Sequence, residues 1–238
     1  MTAPLASAAR SAIGEDAENH AARGVARETV MLVTDPWFGD DAIVRCVKAV
    51  GAALPKGAFA VQLRDKHRPR TSLRAFAAEL LREARAVGAR LIVNGDPTVA
   101  REVGADGVHL GRAAPSVAEA RAIAGTCAWI SVAAHSDEDV RRAADEGADA
   151  VLVSPVFPSR SPSGHGDVKA PRGLDAMRSA RSIAPPRLAL YALGGITAEN
   201  ASLCASAGAD GVALIRGLLS ELEPAAAARG IHDAFAGR

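Results

Sequence analysis

Short runs of consecutive apolar residues return eight times along this chain, and between them lie stretches with the composition of helices. The runs are Thr29–Thr34, Phe59–Leu63, Arg90–Val93, Gly107–Leu110, Trp129–Ala133, Ala150–Val153, Leu188–Leu193 and Gly211–Ile215. A strand with one wet face alternates apolar and polar residues. These runs are continuous instead, so they read as strands of a parallel sheet buried on both faces. The clearest helical stretches are Asp40–Leu54, Ser72–Val87, Val117–Ala124, Asp137–Glu146 and Ala198–Ala207. Ser116 and Ser136 stand just before the third and fourth, where a hydroxyl can cap the first backbone N–H groups.

An internal echo supports the count. Gly104-Ala105-Asp106-Gly107-Val108 returns as Gly147-Ala148-Asp149-Ala150-Val151 and as Gly208-Ala209-Asp210-Gly211-Val212. Each copy sits where a helix gives way to a strand; Gly takes the left-handed helix-ending conformation and Asp is expected to bond the turn. About eight strand–helix units in roughly 210 residues are what a (β/α)8 TIM barrel requires. The rival α/β architecture, a doubly wound sheet, lacks its Gly-x-Gly-x-x-Gly after the first strand. The expectation is therefore a single-domain barrel over 28–238, preceded by an Ala/Arg-rich flexible extension over 1–27 that has no secretory h-region.

Composition narrows the function classes. Aromatic residues make up 3% of the 238, so the core must be aliphatic. The 28 basic and 27 acidic side chains leave a net charge of +1, which gives no case for nucleic acid or a membrane surface as partner. No apolar run approaches the ~18 residues of a membrane-spanning helix. Cys46, Cys127 and Cys204 are scattered without metal-ligand spacing and read as small buried residues of a reduced, cytoplasmic protein.

The C-terminal ends of barrel strands form the active face. That rule selects Asp35, Gln62, Arg64, Lys66, Asn94, His109, His135, Ser154, Gly194, Gly195 and Arg216. Gly194-Gly195-Ile196-Thr197 after the seventh strand can bring backbone N–H groups and a helix N-terminus onto a phosphate, with Ile215-Arg216-Gly217 completing the cradle; the plain alternative is a tight turn. Arg64 and Lys66 flank Asp65: either they meet an anionic ligand or they pair with that acid at the surface. His109 and His135 are candidate acids or bases, or hydrogen-bonded structural histidines. Asn94 either binds a ligand or holds its turn. The Ser/Gly/Pro-rich segment 157–172, with Arg160, His165, Lys169 and Arg172, has the composition of a lid or of a disordered insertion.

In chain order, Gln62-Leu63-Arg64-Asp65-Lys66, Ile92-Val93-Asn94, Gly104 to Gly111, Ala134-His135-Ser136, Pro155-Val156-Phe157-Pro158 and Gly194 to Asn200 resemble the thiamine-phosphate synthase/TenI family, over about residues 29–220. The resemblance implies a (β/α)8 barrel of thiamine biosynthesis that binds a small-molecule thiazole phosphate and, in the synthases, also a hydroxymethylpyrimidine diphosphate. It implies that Arg64 and Lys66 contact the diphosphate, that Gln62 and Asn94 lie on the pyrimidine side, and that Gly194 and Gly195 cradle the thiazole phosphate.

The departures are as informative. Synthases carry an Asp after the Asn of strand three and a second Asp after the His-x-Gly stretch, which together hold Mg²⁺; here these are Gly95 and Ala114. The synthase Ser before Ala-His is Ala133, and the Thr-x-Thr-Lys after Pro-Val-Phe-Pro becomes Ser159-Arg160-Ser161-Pro162, keeping two hydroxyls and losing the lysine. The histidine that some TenI members carry before Val-Phe is Pro155. With both acids replaced, a TenI-like isomerase role is favoured, with His135, His109 and Lys66 as candidate catalytic groups, no metal and no cofactor expected. Thiamine-phosphate synthase, and Mg²⁺ with it, is the alternative, and a non-catalytic binder of thiazole or thiamine phosphate is the second. Association into a homo-oligomer stays open.

Overall fold

The computed structural model describes residues 28–112, 114–126, 128–159 and 170–236. Eight parallel strands close on themselves in sequence order: β1 (Val30–Val33), β2 (Phe59–Leu63), β3 (Arg90–Asn94), β4 (Gly107–Leu110), β5 (Trp129–Ala134), β6 (Ala150–Val153), β7 (Ala189–Leu193) and β8 (Gly211–Leu214). The closing pair sets Val30 beside Val212 and Leu32 beside Leu214, so no sheet edge remains. Each strand is followed by its helix: α1 (Asp40–Ala53), α2 (Arg70–Ala86), α3 (Pro97–Val103), α4 (Val117–Ala124), α5 (Asp137–Asp145), α6 (Gly173–Ile183), α7 (Ala201–Ser206) and α8 (Arg216–Leu219). A further helix, α9 (Pro224–Asp233), packs on α1. All eight expected strands form, with ends within a residue of expectation.

The continuous apolar strands serve two cores at once. Odd positions of β1, Met31 and Val33, join Ala60, Ile92, Leu152, Tyr191 and Ala213 inside the barrel. The alternate residues Val30, Leu32, Val61, Leu91, Val108 and Val212 face outward and are covered by the helices. Ser116 and Ser136 cap α4 and α5 as expected, Ser116 through a reciprocal box with Glu119.

The Gly-Ala-Asp repeat does more than end a helix. Gly104, Gly147 and Gly208 do hold positive φ. The aspartates bond across to the preceding strand rather than within the turn: Leu91 N–H donates to Asp106 Oδ2 (2.8 Å), Ile130 N–H to Asp149 Oδ2 (2.7 Å) and Leu190 N–H to Asp210 Oδ2 (2.8 Å). They satisfy strand donors at the N-terminal end of the β3–β4, β5–β6 and β7–β8 pairs.

That end is plugged. Glu28, 3% exposed, lies 2.6 Å from Arg90 Nε and accepts the Tyr191 hydroxyl at 3.2 Å, and Trp129 packs edge-on against Tyr191. Burial raises the Glu28 carboxyl above its ordinary value, against the pull of the Arg90 charge. The extension over 1–27, Ser161 and most of the 157–172 segment, and Cys127 lie outside the described residues. Cys46 and Cys204 are buried, as expected. Among the described residues no helix is long and apolar enough to cross a membrane.

Candidate active site at the C-terminal mouth

Strand parity carries the selected side chains to the mouth. Gln62 continues the inward row of Ala60 on β2, and Asn94 that of Ile92 on β3; Asn94 pairs in register with His109 on β4, and His109 with Ser131 on β5. They form a short polar arc across neighbouring strands. Asn94 Nδ2 donates to Gln62 Oε1 (3.2 Å), Gln62 Nε2 donates to Met31 Sδ (3.7 Å), and His109 Nδ1 shares a hydrogen bond with Ser131 Oγ (2.9 Å). Asn94 Oδ1 keeps an acceptor without a partner among the described residues. Ser131 was not among the sequence candidates; its signal was its place on the inward row of β5.

His109 is 5% exposed, and burial holds its pKa at about 4, with the charges of Arg64, His135 and Lys66 adding to the effect. The imidazole is therefore neutral at pH 7, and the two cations after β2 act on it electrostatically. His135 follows β5: its Nδ1–H donates to Ser154 O (2.9 Å), and its own backbone N–H donates to Asp139 Oδ2 (2.8 Å).

The question left open for Arg64 and Lys66 has a clear geometric answer. Asp65 does not pair with either: its Oδ2 takes Arg68 Nε at 2.8 Å. No carboxylate lies within ion-pair distance of Arg64 or Lys66 among the described residues. Two unneutralised cations at the rim of a barrel suit an anionic ligand.

Gly194 and Gly195 have φ of 103° and 65°, and a Cβ on Gly195 would sit 2.6 Å from Pro158 O. The pair is thus required both by backbone conformation and by the close approach of the segment after β6. Asn200 Nδ2 braces the turn through Gly195 O (2.9 Å), while the Gly195 and Ile196 N–H groups donate to nothing among the described residues. One expectation is corrected: the following helix starts at Ala201, not Ala198, and Thr197 N–H is taken by Asn200 Oδ1, so that helix does not begin on the Gly-Gly turn. Arg216 opens α8 at the exposed rim, and Ser159 is half-buried just past Pro158. Arg172, counted among the cations of the 157–172 segment, pairs with Asp137 at 3.5 Å.

A cavity of about 490 Å³ lies beside the mouth, between the loops after β4 and β5, lined among others by Arg112, Ala114, Ala133 and His135. Ala114 and Ala133 are two of the positions where the sequence departs from the synthase pattern. The cavity also carries Asp139 and Glu146, but Asp139 accepts His135 N–H and Arg142 and Glu146 accepts Val117 N–H, so these carboxylates are not gathered into a Mg²⁺ site. Magnesium wants one or two carboxylates besides substrate phosphates, and the two expected positions are Gly95, with open space where a Cβ would be, and Ala114. Asp96 is engaged elsewhere: its Oδ1 caps α3 through Thr98 and Val99 N–H, and Oδ2 lies 3.5 Å from Arg70 Nε. Asp35, two residues past the end of β1 and two strands away from Asn94, is fully enclosed, with Oδ1 accepting Trp37 N–H and Oδ2 unpartnered. No cluster of three metal-ligating side chains occurs among the described residues.

A closed (β/α)8 barrel plugged at one end, with neutral donors, an unpaired cation couple and a glycine turn at the other, is the frame of a small-molecule enzyme. The chain belongs to the thiamine monophosphate synthase family, whose model matches residues 30–218. It is 41% identical over 205 residues to the thiamine-phosphate synthase of Methanoculleus marisnigri, spanning 86% of this chain and 94% of that protein. It is 39% identical over 209 residues to the thiamine-phosphate synthase of Bordetella avium, spanning 85% and 93%. Among solved structures, thiamine phosphate pyrophosphorylase from Pyrococcus furiosus superposes with a TM-score of 0.74 at 25% identity, over 87% of this chain and 95% of that one. These names favour the synthase alternative over the TenI-like role.

Proposed function

We propose that this barrel is a thiamine-phosphate synthase, joining a hydroxymethylpyrimidine diphosphate to a thiazole phosphate with release of diphosphate. The observation that carries the reading is the unneutralised Arg64–Lys66 couple beside the Gln62–Asn94 amide pair. Isomerising a thiazole phosphate needs one phosphate cradle; a second concentration of positive charge has a use only when a second, more highly charged anion binds.

In this reading the bond between the pyrimidine methylene carbon and the diphosphate oxygen breaks with its electron pair going to the diphosphate. The thiazole ring nitrogen then supplies the lone pair for the new carbon–nitrogen bond. Arg64 and Lys66 stabilise the charge that grows on the departing oxygens. Asn94 Oδ1 accepts from the exocyclic amine of the pyrimidine, with Gln62 holding the Asn94 amide in orientation. His109, kept neutral by burial, puts no positive charge beside the cationic pyrimidine fragment. The Gly195 and Ile196 N–H groups receive the thiazole phosphate, with Arg216 and Ser159 as further contacts. No step is routed through Mg²⁺, because the residues at hand do not supply its donors.

The test is the coupling assay with both substrates, with and without Mg²⁺. Thiamine phosphate forms in the wild type, and Arg64→Ala or Lys66→Ala raises KM for the diphosphate by about 30–100-fold, the worth of one charge-assisted contact. No product under either condition overturns the proposal. Gly95 and Ala114 favour a second reading, the TenI-like one: there the protein accelerates exchange between thiazole phosphate isomers, and His135→Ala or His109→Ala slows it. Thiazole phosphate binding with neither reaction accelerated leaves the binder.

A further inference from the structure

The segment after β2 places one acid between the two cations that the proposed function needs free. An Asp flanked by Arg64 and Lys66 would ordinarily lie within reach of either and cancel part of their charge. Asp65 is turned away and held. Its Oδ1 accepts the N–H groups of His67 (3.3 Å) and Arg68 (3.1 Å), and its Oδ2 accepts Arg68 Nε (2.8 Å), leaving the side chain 8% exposed.

Arg68 is itself fixed from three sides. Its two terminal nitrogens fork onto both oxygens of Asp40, the first residue of α1, at 2.8 and 2.5 Å. Its guanidinium lies 4.7 Å from the centre of the Phe76 ring on α2. One planar cation thus joins the start of α1, the face of α2 and the segment after β2, while using its Nε edge on Asp65. Only a guanidinium has edges enough for both acids; an ammonium offers a single point of charge.

We infer that Arg68 is a positioning residue: it draws Asp65 away from Arg64 and Lys66 so that both cations stay available for the diphosphate. The inference rests on the synthase reading of the mouth. It predicts an inhibitory carboxylate, which a merely structural role for Arg68 does not.

The experiment measures the binding of inorganic pyrophosphate by calorimetry at low ionic strength, on variants with wild-type near-ultraviolet circular dichroism. It also measures KM for each substrate in the coupling reaction. Arg68→Gln, which keeps a stem over Phe76 but no charge, weakens pyrophosphate binding about tenfold and raises KM for the pyrimidine diphosphate alike, leaving KM for thiazole phosphate unchanged. Arg68→Lys falls between it and the wild type. Asp65→Asn by itself stays within about twofold of wild type. Combined with Arg68→Gln, it restores binding to within about threefold, because Asn Oδ1 still accepts the two loop N–H groups and carries no charge. Unchanged affinity in Arg68→Gln, or no rescue in the double variant, overturns the role of Arg68. Failure of the wild type to bind pyrophosphate at all overturns the reading of the mouth on which it rests.

Discussion

Acidification is expected to destabilise this barrel, and His109 carries a separable part of the loss. The imidazole is enclosed on the inward row of β4, bonded to Ser131 Oγ and within the field of Arg64, His135 and Lys66, and its pKa lies at about 4 where an exposed histidine has 6.5. A group whose folded pKa is below its unfolded value is protonated first in the unfolded chain. Its contribution is therefore fully present above pH 6.5, falls as the pH drops toward 4, and changes no further below that. At about 1.4 kcal/mol for each pH unit separating the two values, the loss totals about 3 kcal/mol. That is a large share of the roughly 5–15 kcal/mol that holds a domain together. The assay is urea unfolding at pH 7.5, 6.5, 5.5 and 4.5, in the wild type and in His109→Asn, whose amide can keep a bond to Ser131. Contributions from groups common to both proteins cancel in the comparison. The wild type is expected to lose between 2 and 3 kcal/mol more than the variant by pH 4.5. Parallel profiles would refute the claim that His109 is held neutral by its surroundings.

Three further outcomes are checked more simply. Gly195→Ala forces a Cβ to 2.6 Å from Pro158 O at a φ of 65°; a loss of about 2–4 kcal/mol, seen in thermal melts, comes with weaker thiazole phosphate binding. Asp149→Ala leaves the buried Ile130 N–H without its acceptor and removes the carboxylate partner of Arg121, whose guanidinium keeps Ala128 O and Gly147 O; denaturant titration is expected to show about 1–3 kcal/mol of destabilisation with little change in KM. Burial pushes the Cys46 thiol up to about 12 and that of Cys204 to about 11; at pH 8 neither reacts with iodoacetamide in the folded protein, both do in urea, and mass mapping of the peptides distinguishes the cases.

Much of the barrel was legible along the chain because its strands announce themselves locally. Val30–Val33, Ala150–Val153 and their six counterparts are apolar without alternation, and that pattern has no other use than two-sided burial. Four helices went unnamed: α3, α6, α8 and α9. α3 is a single Pro-led stretch of 7 residues, too short for a periodic signal, and α6 opens directly from the Ser/Gly/Pro-rich segment whose composition masks its start. Most candidate positions were legible for the same reason as the strands: Gln62 and His109 lie near the end of an apolar run, and Arg64, Asn94, His135, Gly194, Gly195 and Arg216 stand one or two residues past one.

What no local pattern could supply was the pairing of charge. The sequence by itself determined that eight buried strands alternate with helices, that a glycine pair follows the seventh, and that Arg64, Asp65 and Lys66 stand together at the mouth. Which of those charges cancel was decided by Asp40, 28 positions from Arg68 in the chain and bonded to it only because α1 and α2 flank the same strand. The neutrality of His109 was likewise decided by enclosure and by charges on other strands. Electrostatic energy depends on distance and burial in space, and neither is a property of neighbouring letters; so the chain alone specified the scaffold, and the closed barrel specified which cations are left without a carboxylate partner among the described residues.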